Sequence, residues 1–324
     1  MSDLKQKELL GLDNQELTAI VHELKQPAYR ARQLFEAIYH QRAVNLGEVS
    51  TLPKQVRELL VHRFSLRPPQ IERKFVSADG TIRYLILMAD GQSVETVWMP
   101  EGDSGESGDG TEAGEEEQRA GFDRATICVS SQVGCAVGCQ FCMTALLGAK
   151  RSLSAGEIVG QVMAVLNDRA VSTDKDRINL VFMGMGEPFL NYDNFMKAVR
   201  LLVEGVGIPQ SRMTVSTAGI VPRIYDFSRE QVRPKLAISL NASNDEQRDR
   251  LMPINRKWNL EALLQAAREF ALGKRERLTF EYVLLRDVND APENACEVAK
   301  LLRGLRCKVN LIALNPGPEI PFSM

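Results

Sequence analysis

The sequence predicts an α/β protein built on a parallel sheet with helices outside it, either doubly wound or closed into a partial barrel. Three observations predict it. From about residue 121 onward, six apolar runs rich in β-branched residues recur: ATICVSS, INLVFMG, RMTVST, KLAISLN, LTFEYVLL and CKVNLIAL. Amphipathic helical patterns separate most of them, the alternation from which β-α units build a parallel sheet. The chain has 324 residues, 44 % hydrophobic and 25 % charged, enough for one large domain and a smaller one.

The elements follow in order. Residues 1–75 read as a helical domain, best in PAYRARQLFEAIYHQR, where Ala31, Leu34, Phe35, Ile38 and Tyr39 repeat at helical spacing. Pro27 suits a first turn, and Arg30, Arg32 and Arg42 remain for a solvated face or for phosphates. Residues 76–100 form a hairpin, RYLILMA and QSVETVWM about the turn Asp90-Gly91. Residues 101–119 are Gly-, Ser- and Glu-rich with little to bury, and predict a disordered acidic loop. The α/β part occupies 120–324. Its first helix opens at Ser154, with Glu157 three residues on completing a capping box, and buries a stripe of Ile158, Val159, Val162, Met163 and Leu166. NLEALLQAAREFALGKR and the segment around ENACEVAKLLRGL are further helices. In both architectures ligands bind at the carboxyl ends of the strands.

Composition narrows the function. No apolar run is long enough to span a bilayer, and the charged start MSDLKQKELLGLDNQE lacks a signal-peptide core, which predicts a cytoplasmic protein. The formal charge of −2 conceals a tract, 101–118, with eight acidic residues and no basic one, leaving +6 on the remainder. Such a body suits a polyanionic partner or a plain solvated surface.

The cysteines carry the chemistry. Of six, four (Cys128, Cys135, Cys139 and Cys142) fall within 15 positions. Clustered thiols in a reducing compartment point to metal or redox work rather than a disulfide framework. Cys135, Cys139 and Cys142 form C-x3-C-x2-C on the loop after the first strand of the α/β part. Thiolates are the natural ligands of iron–sulfur clusters, and three leave one iron of a [4Fe-4S] cubane open for chemistry. A structural zinc site wants a fourth ligand, and His22, His40 and His62 all lie far away in the chain.

C-x3-C-x2-C with Phe141 before the last cysteine resembles the radical-SAM superfamily. There the open iron chelates S-adenosylmethionine (SAM), and electron transfer breaks a C–S bond to give a 5′-deoxyadenosyl radical. The motifs GCAVGCQFCMTALLGAKRSLSAGEIVGQV, VFMGMGEPFLN, TVSTAG, AISLNA, RLMPINRKWNLEALL, FEYVLLRDVND and CKVNLIALNP together resemble the RlmN/Cfr family. Its members methylate carbon 2 or carbon 8 of an adenine in ribosomal RNA. The resemblance spans nearly the whole chain. It implies a partial (β/α)6 TIM-like barrel as the radical SAM core, an N-terminal helical accessory domain that binds RNA, and carbon-2 methylation of 23S rRNA and of tRNA. It further implies an electron donor such as flavodoxin, and a monomer with no membrane partner.

Roles follow on matching residues. Strand-end polar groups commonly face ligands. The resemblance assigns Gly186 and Glu187 of GMGEP to the amino-acid moiety of SAM, and Ser216, Ser239, Leu240, Asn241 and Asn315 to further SAM contacts. Some members have histidine where Asn241 stands. Glu95, by itself an exposed strand carboxylate, matches a family glutamate proposed as proton acceptor. Cys128, by itself a buried strand thiol, matches the cysteine that resolves a methyl-cysteine intermediate through a disulfide.

The methyl-carrying cysteine of the family lies well past the Asn315 position, in an RG-x-D-I-x-A-A-C-G-like segment, whereas this sequence stops at Met324. Cys296, inside a predicted helix, and Cys307, opening the sixth strand, read as packing residues. LIALNPGPEIPFSM leaves the sixth strand without a covering helix, so the expectation is a fragment of a complete enzyme. The alternatives are a shortened paralogue, a radical SAM enzyme of another reaction class, or a non-catalytic RNA-binding protein.

Overall fold

The computed structural model describes residues 6–100 and 124–324; the predicted acidic loop, 101–119, lies outside them. The N-terminal unit begins with a short strand β1 (Lys7–Glu8), which pairs in parallel with β2 (Phe64–Ser65). Between them run helices α1 (Asn14–Glu23), α2 (Tyr29–Phe35) and α3 (Lys54–Arg63). Asp13 and Glu16 close a capping box on α1. The helix predicted in PAYRARQLFEAIYHQR is α2 continued by a wider turn over Glu36–His40. Tyr39 on that turn is fully buried; its hydroxyl donates to the Leu12 carbonyl at 2.7 Å and accepts from the Gly11 N–H at 2.9 Å. Arg42, offered by the sequence as a surface cation, instead donates to the Val171 carbonyl at 2.8 Å and ties the unit to the α/β core.

The hairpin is one strand larger than its pattern. Strand β3 (Gln70–Val76) precedes β4 (Ile82–Leu87) and β5 (Ser93–Pro100), and the three pair antiparallel. β3 falls in the span read as helical because α3 ends at Arg63 and Pro68-Pro69 forbid its extension. The turn at Asp90-Gly91 is present, closed by the Gly91 N–H on the Met88 carbonyl at 3.0 Å.

All six predicted core strands exist. They are β6 (Ala125–Cys128), then, after the short pair β7 (Gln132–Val133) and β8 (Arg151–Ser152), β9 (Ile178–Phe182), β10 (Met213–Thr217), β11 (Lys235–Ser239), β12 (Leu278–Leu284) and β13 (Cys307–Ala313). Helices α4 (Met143–Leu146), α5 (Ala155–Asp168), α6 (Tyr192–Leu201), α7 (Val221–Ser228), α8 (Asp245–Leu251), α9 (Leu260–Glu269) and α10 (Pro292–Leu301) fill the connections. The capping box at Ser154 and Glu157 opens α5 as predicted. The strands lie in the order β13-β12-β11-β10-β9-β6-β5-β4-β3, the first six mutually parallel. β13 and β3 are the two edges, so the parallel arc stays open, a partial barrel rather than a closed one.

One face of the arc carries the main core: Ile127, Leu180, Phe182, Val215, Leu236, Ile238 and Phe280 pack against the helices. Register sets the other face. Ser216 pairs with Ala237, Ala237 with Thr279, and Ser239 with Glu281, placing a polar row on the side away from the helices. Among the described residues no helix is long and apolar enough to cross a membrane.

Candidate active site

The three clustered cysteines occupy one loop between β7 and α4, over the carboxyl ends of the core strands. β7 and β8 pair antiparallel, Val133 with Arg151, and clamp the loop at its base. Gly134 allows this clamp. Its φ is +75°, and a Cβ there would run into the Gly148 carbonyl oxygen. Within the loop the Cys142 N–H donates to the Cys139 carbonyl at 3.2 Å, and the Gln140 N–H to the Leu251 carbonyl at 2.9 Å. Cys135, Cys139 and Phe141 pack on a small apolar cluster that includes Ala218, Leu285 and Leu314, each just past a strand end. All six cysteines of the chain are free thiols.

Burial pushes the Cys135 and Cys139 thiols up, and the neighbouring thiols and Glu187 add to it. A bound cation reverses that order, since a coordinating thiol is deprotonated outright. The donor set fits an iron–sulfur cluster: three soft sulfur donors on one loop, backed by an apolar shell. Among the described residues no three His, Cys, Asp or Glu side chains converge as ligands of one metal ion do. In a cubane each thiolate binds a different iron.

Glu187 lies five residues past the end of β9, where it caps the turn Pro188–Asn191, and is 3 % exposed. Its carboxylate accepts the Ala218 N–H at 2.7 Å and the Phe189 N–H at 2.9 Å, so it ties the ends of β9 and β10 together. Burial nevertheless raises its pKa to about 7, against those hydrogen bonds. Gly186 beside it has φ +98°, and a Cβ there would lie 2.7 Å from the Gln132 nitrogen. Ser216 and Ser239 stand in the polar row, their hydroxyls 3.3 Å apart, and Ser216 donates to Glu281 at 2.6 Å. Leu240 is fully buried. Asn241 sits at φ +56°, its side-chain oxygen accepting the Val283 N–H at 2.8 Å and its amide meeting Met252. The structure thus engages the Asn241 side chain in backbone support. Asn315 is exposed just past β13.

Cys128 ends β6 and pairs with Val97 of β5, two positions along from Glu95 on the same face. Burial drives its thiol up to about 12, opposed by the Met183 backbone and reinforced by the charges of Glu281 and Glu95. Glu95 is partly exposed and accepts a hydrogen bond from Arg83 at 2.6 Å.

Two residues here lie outside the sequence expectations. Glu281 of β12 is 8 % exposed and joins Ser216 and Ser239. Arg248 of α8 is fully buried and donates to the carbonyls of Ala218, Ser239 and Leu240 and to the Asn255 side chain. Burial lowers it to about 10, the charges of Cys139, Asp245 and Asp249 opposing. It therefore stays cationic at neutral pH and braces two strand ends beneath the cysteine loop. The available signal for Glu281 was a carboxylate inside the apolar run LTFEYVLL; Arg248 lies in a helix of mixed charges that hides it.

Comparison with known proteins bears on the chain as a whole. Residues 129–299 match the radical SAM superfamily, and residues 7–66 match the ribosomal RNA large subunit methyltransferase N-terminal domain. The chain is 66 % identical over 301 residues to a probable dual-specificity RNA methyltransferase RlmN of Koribacter versatilis, covering 93 % of this chain and 86 % of that one. It is 41 % identical to the dual-specificity RNA methyltransferase RlmN of Nitratiruptor, covering 98 % and 86 %. A crystal structure of a radical SAM methyltransferase from Sphaerobacter thermophilus superposes with a TM-score of 0.84 at 43 % identity, covering 98 % of this chain and 88 % of that one. The chain belongs to the RlmN family of radical SAM RNA methyltransferases.

Proposed function

We propose that the protein methylates carbon 2 of an adenine in 23S rRNA and in tRNA, with Cys135, Cys139 and Cys142 holding a [4Fe-4S] cluster. When bound, the cluster and SAM supply the one-electron cleavage of a C–S bond. The chain's own residues do the rest. Gly186, Glu187, Ser216, Ser239, Leu240, Asn241 and Asn315 surround the SAM position. Ser216 gives its single hydroxyl proton to Glu281, so its oxygen is left to accept from a donor such as a ribose hydroxyl or an ammonium. Leu240 and Asn241, buried and with their backbone N–H groups on the Glu281 carbonyl, shape the wall of that position.

Glu95 accepts the carbon-2 proton of the adenine, and Cys128 releases the product by forming a disulfide with the cysteine that carries the methyl group. The observation that carries this reading is that Glu95 and Cys128 stand on one face of neighbouring strands, at the end of the sheet where the cysteine loop lies. Cys296 is exposed on α10, and Cys307 opens β13 at the opposite end of its strand from Asn315, so neither suits the methyl carrier. The N-terminal unit, from β1 to β2, serves as the RNA-binding accessory domain, and the protein works as a cytoplasmic monomer served by a donor such as flavodoxin.

The test uses protein expressed from its complete reading frame and reconstituted without oxygen. With methyl-labelled SAM and fragments of 23S rRNA or tRNA, digestion and mass spectrometry should find the label on adenine carbon 2. Label on carbon 8, or none on RNA despite SAM cleavage, overturns the proposal. Cys128→Ser should stall the reaction with protein covalently attached to RNA, and Glu95→Gln should do so one step earlier.

A further inference from the structure

The antiparallel strands carry two unlike faces. Ile82, Tyr84, Ile86, Val94 and Trp98 are buried. Thr96 on that face bonds Gln161 of α5 at 2.9 Å, and the Tyr84 hydroxyl bonds Asp168 at 2.9 Å. On the opposite face Arg73, Phe75 and Arg83 are exposed and Leu85, Glu95 and Val97 half-buried. Register makes it continuous with the site: Cys128 pairs with Val97, Val97 with Arg83, and Arg83 with Phe75. In the adjoining row Glu95 pairs with Leu85, and Leu85 with Arg73. With strands about 4.8 Å apart, Phe75 lies on the order of 14 Å from Cys128, three strands away along one surface.

Phe75 is 41 % exposed although aromatic. The guanidinium of Arg83 lies 4.6 Å from its ring centre and that of Arg73 5.9 Å. Arg83 also reaches the Glu95 carboxylate at 2.6 Å, with both side chains nearly half exposed. An exposed ring flanked by cations, running into the candidate base, has the chemistry of a nucleic-acid surface: a π-face for a base and guanidinium forks for phosphates. Among the described residues both arginines sit at the exposed ring, and β3 is an edge strand with nothing described beyond it.

We propose that Arg73, Phe75 and Arg83 form a docking platform for the unpaired stretch of substrate RNA beside the target adenine. One base stacks on Phe75, and the phosphates beside it take Arg73 and Arg83. A phosphate on Arg83 competes with Glu95 for the same guanidinium and frees that carboxylate when substrate arrives. The inference rests on the reading of the protein as an RNA methyltransferase.

The test is fluorescence anisotropy with a labelled RNA stem-loop carrying the target adenine in its loop, using anaerobically reconstituted full chain. Phe75→Ala and Phe75→Leu should each weaken binding roughly 5- to 150-fold, whereas Phe75→Trp stays within about twofold. The Leu variant keeps an apolar side chain on the strand and so separates stacking from folding, which thermal melts monitor. The double variant Arg73→Gln, Arg83→Gln should flatten the dependence of log affinity on log salt by about 1.4, or about 0.7 per phosphate contact. A folded Phe75→Leu protein that binds like wild type, or an unchanged salt slope in the double variant, overturns the platform. If wild type binds and methylates RNA while these variants match it, the platform alone falls. If wild type does neither, the methyltransferase reading falls with it.

Discussion

The cysteine loop and the polar row of the sheet sit at one end of the arc, yet they are assembled in opposite ways. The loop gathers three thiols from eight consecutive residues, shaped by a glycine at φ +75° and a two-strand clamp. The row gathers Ser216, Ser239 and Glu281 from three strands, 65 residues apart at the extremes, through register alone. A motif of the first kind carries its own geometry and is readable as a string. A motif of the second kind exists only once strands β10, β11 and β12 have paired.

This contrast orders the expected effects of substitution. The largest is on the loop. Changing any one of Cys135, Cys139 or Cys142 to Ala should abolish binding of about four irons per chain, measured by iron and sulfide analysis after reconstitution. Full iron content in all three variants would break the assignment.

Glu187 comes next, because it ties strand ends while buried. Its folded pKa of about 7 lies above the ordinary carboxylate value of 4.5. The stability tied to its protonated form is therefore complete below about pH 4.5 and lost as pH rises through 7. Glu187→Gln should remove that loss, on the order of 3 kcal/mol between pH 4.5 and 8. Urea unfolding of cluster-free protein at both pH values, against wild type, checks it; parallel pH profiles would show that the carboxylate is ionised throughout.

Glu281 tests the register-built row. Glu281→Ala leaves the Ser216 hydroxyl without its acceptor, at a cost of roughly 1–3 kcal/mol in SAM binding, read by calorimetry with S-adenosylhomocysteine. Unaltered affinity would place the row outside the SAM position. The smallest effect is local again. Ser154→Ala removes the cap of α5 and should cost about 1 kcal/mol in unfolding free energy, with no change in iron content.

Much of the site was legible because its signals are short-range. The capping box at Ser154 and the turn at Asp90-Gly91 each depend on neighbours within a few positions and appear as read, and the three cysteines share one loop. Strand β3 was missed although Pro68-Pro69 precede it and Asp79-Gly80 turns the chain after it, because the charged residues of IERKFV break the apolar alternation of a strand. Arg42 was read as a surface cation because its partner, the Val171 carbonyl, is 129 positions away. The Asn241 side chain meets the Val283 N–H, 42 positions away, and Met252, contacts that no local pattern shows.

By itself, then, the sequence determined the alternation of strands and helices, the three-cysteine spacing and the family resemblance, since all three are written in local spacing. Tertiary structure alone decided that the arc stays open, that Glu281 completes the serine pair, that Arg248 is buried beneath the thiols, and that one sheet face runs from Cys128 out to Phe75. Those facts depend on which strands pair and in what register. A register shift of one residue would turn every side chain of a strand to the other face.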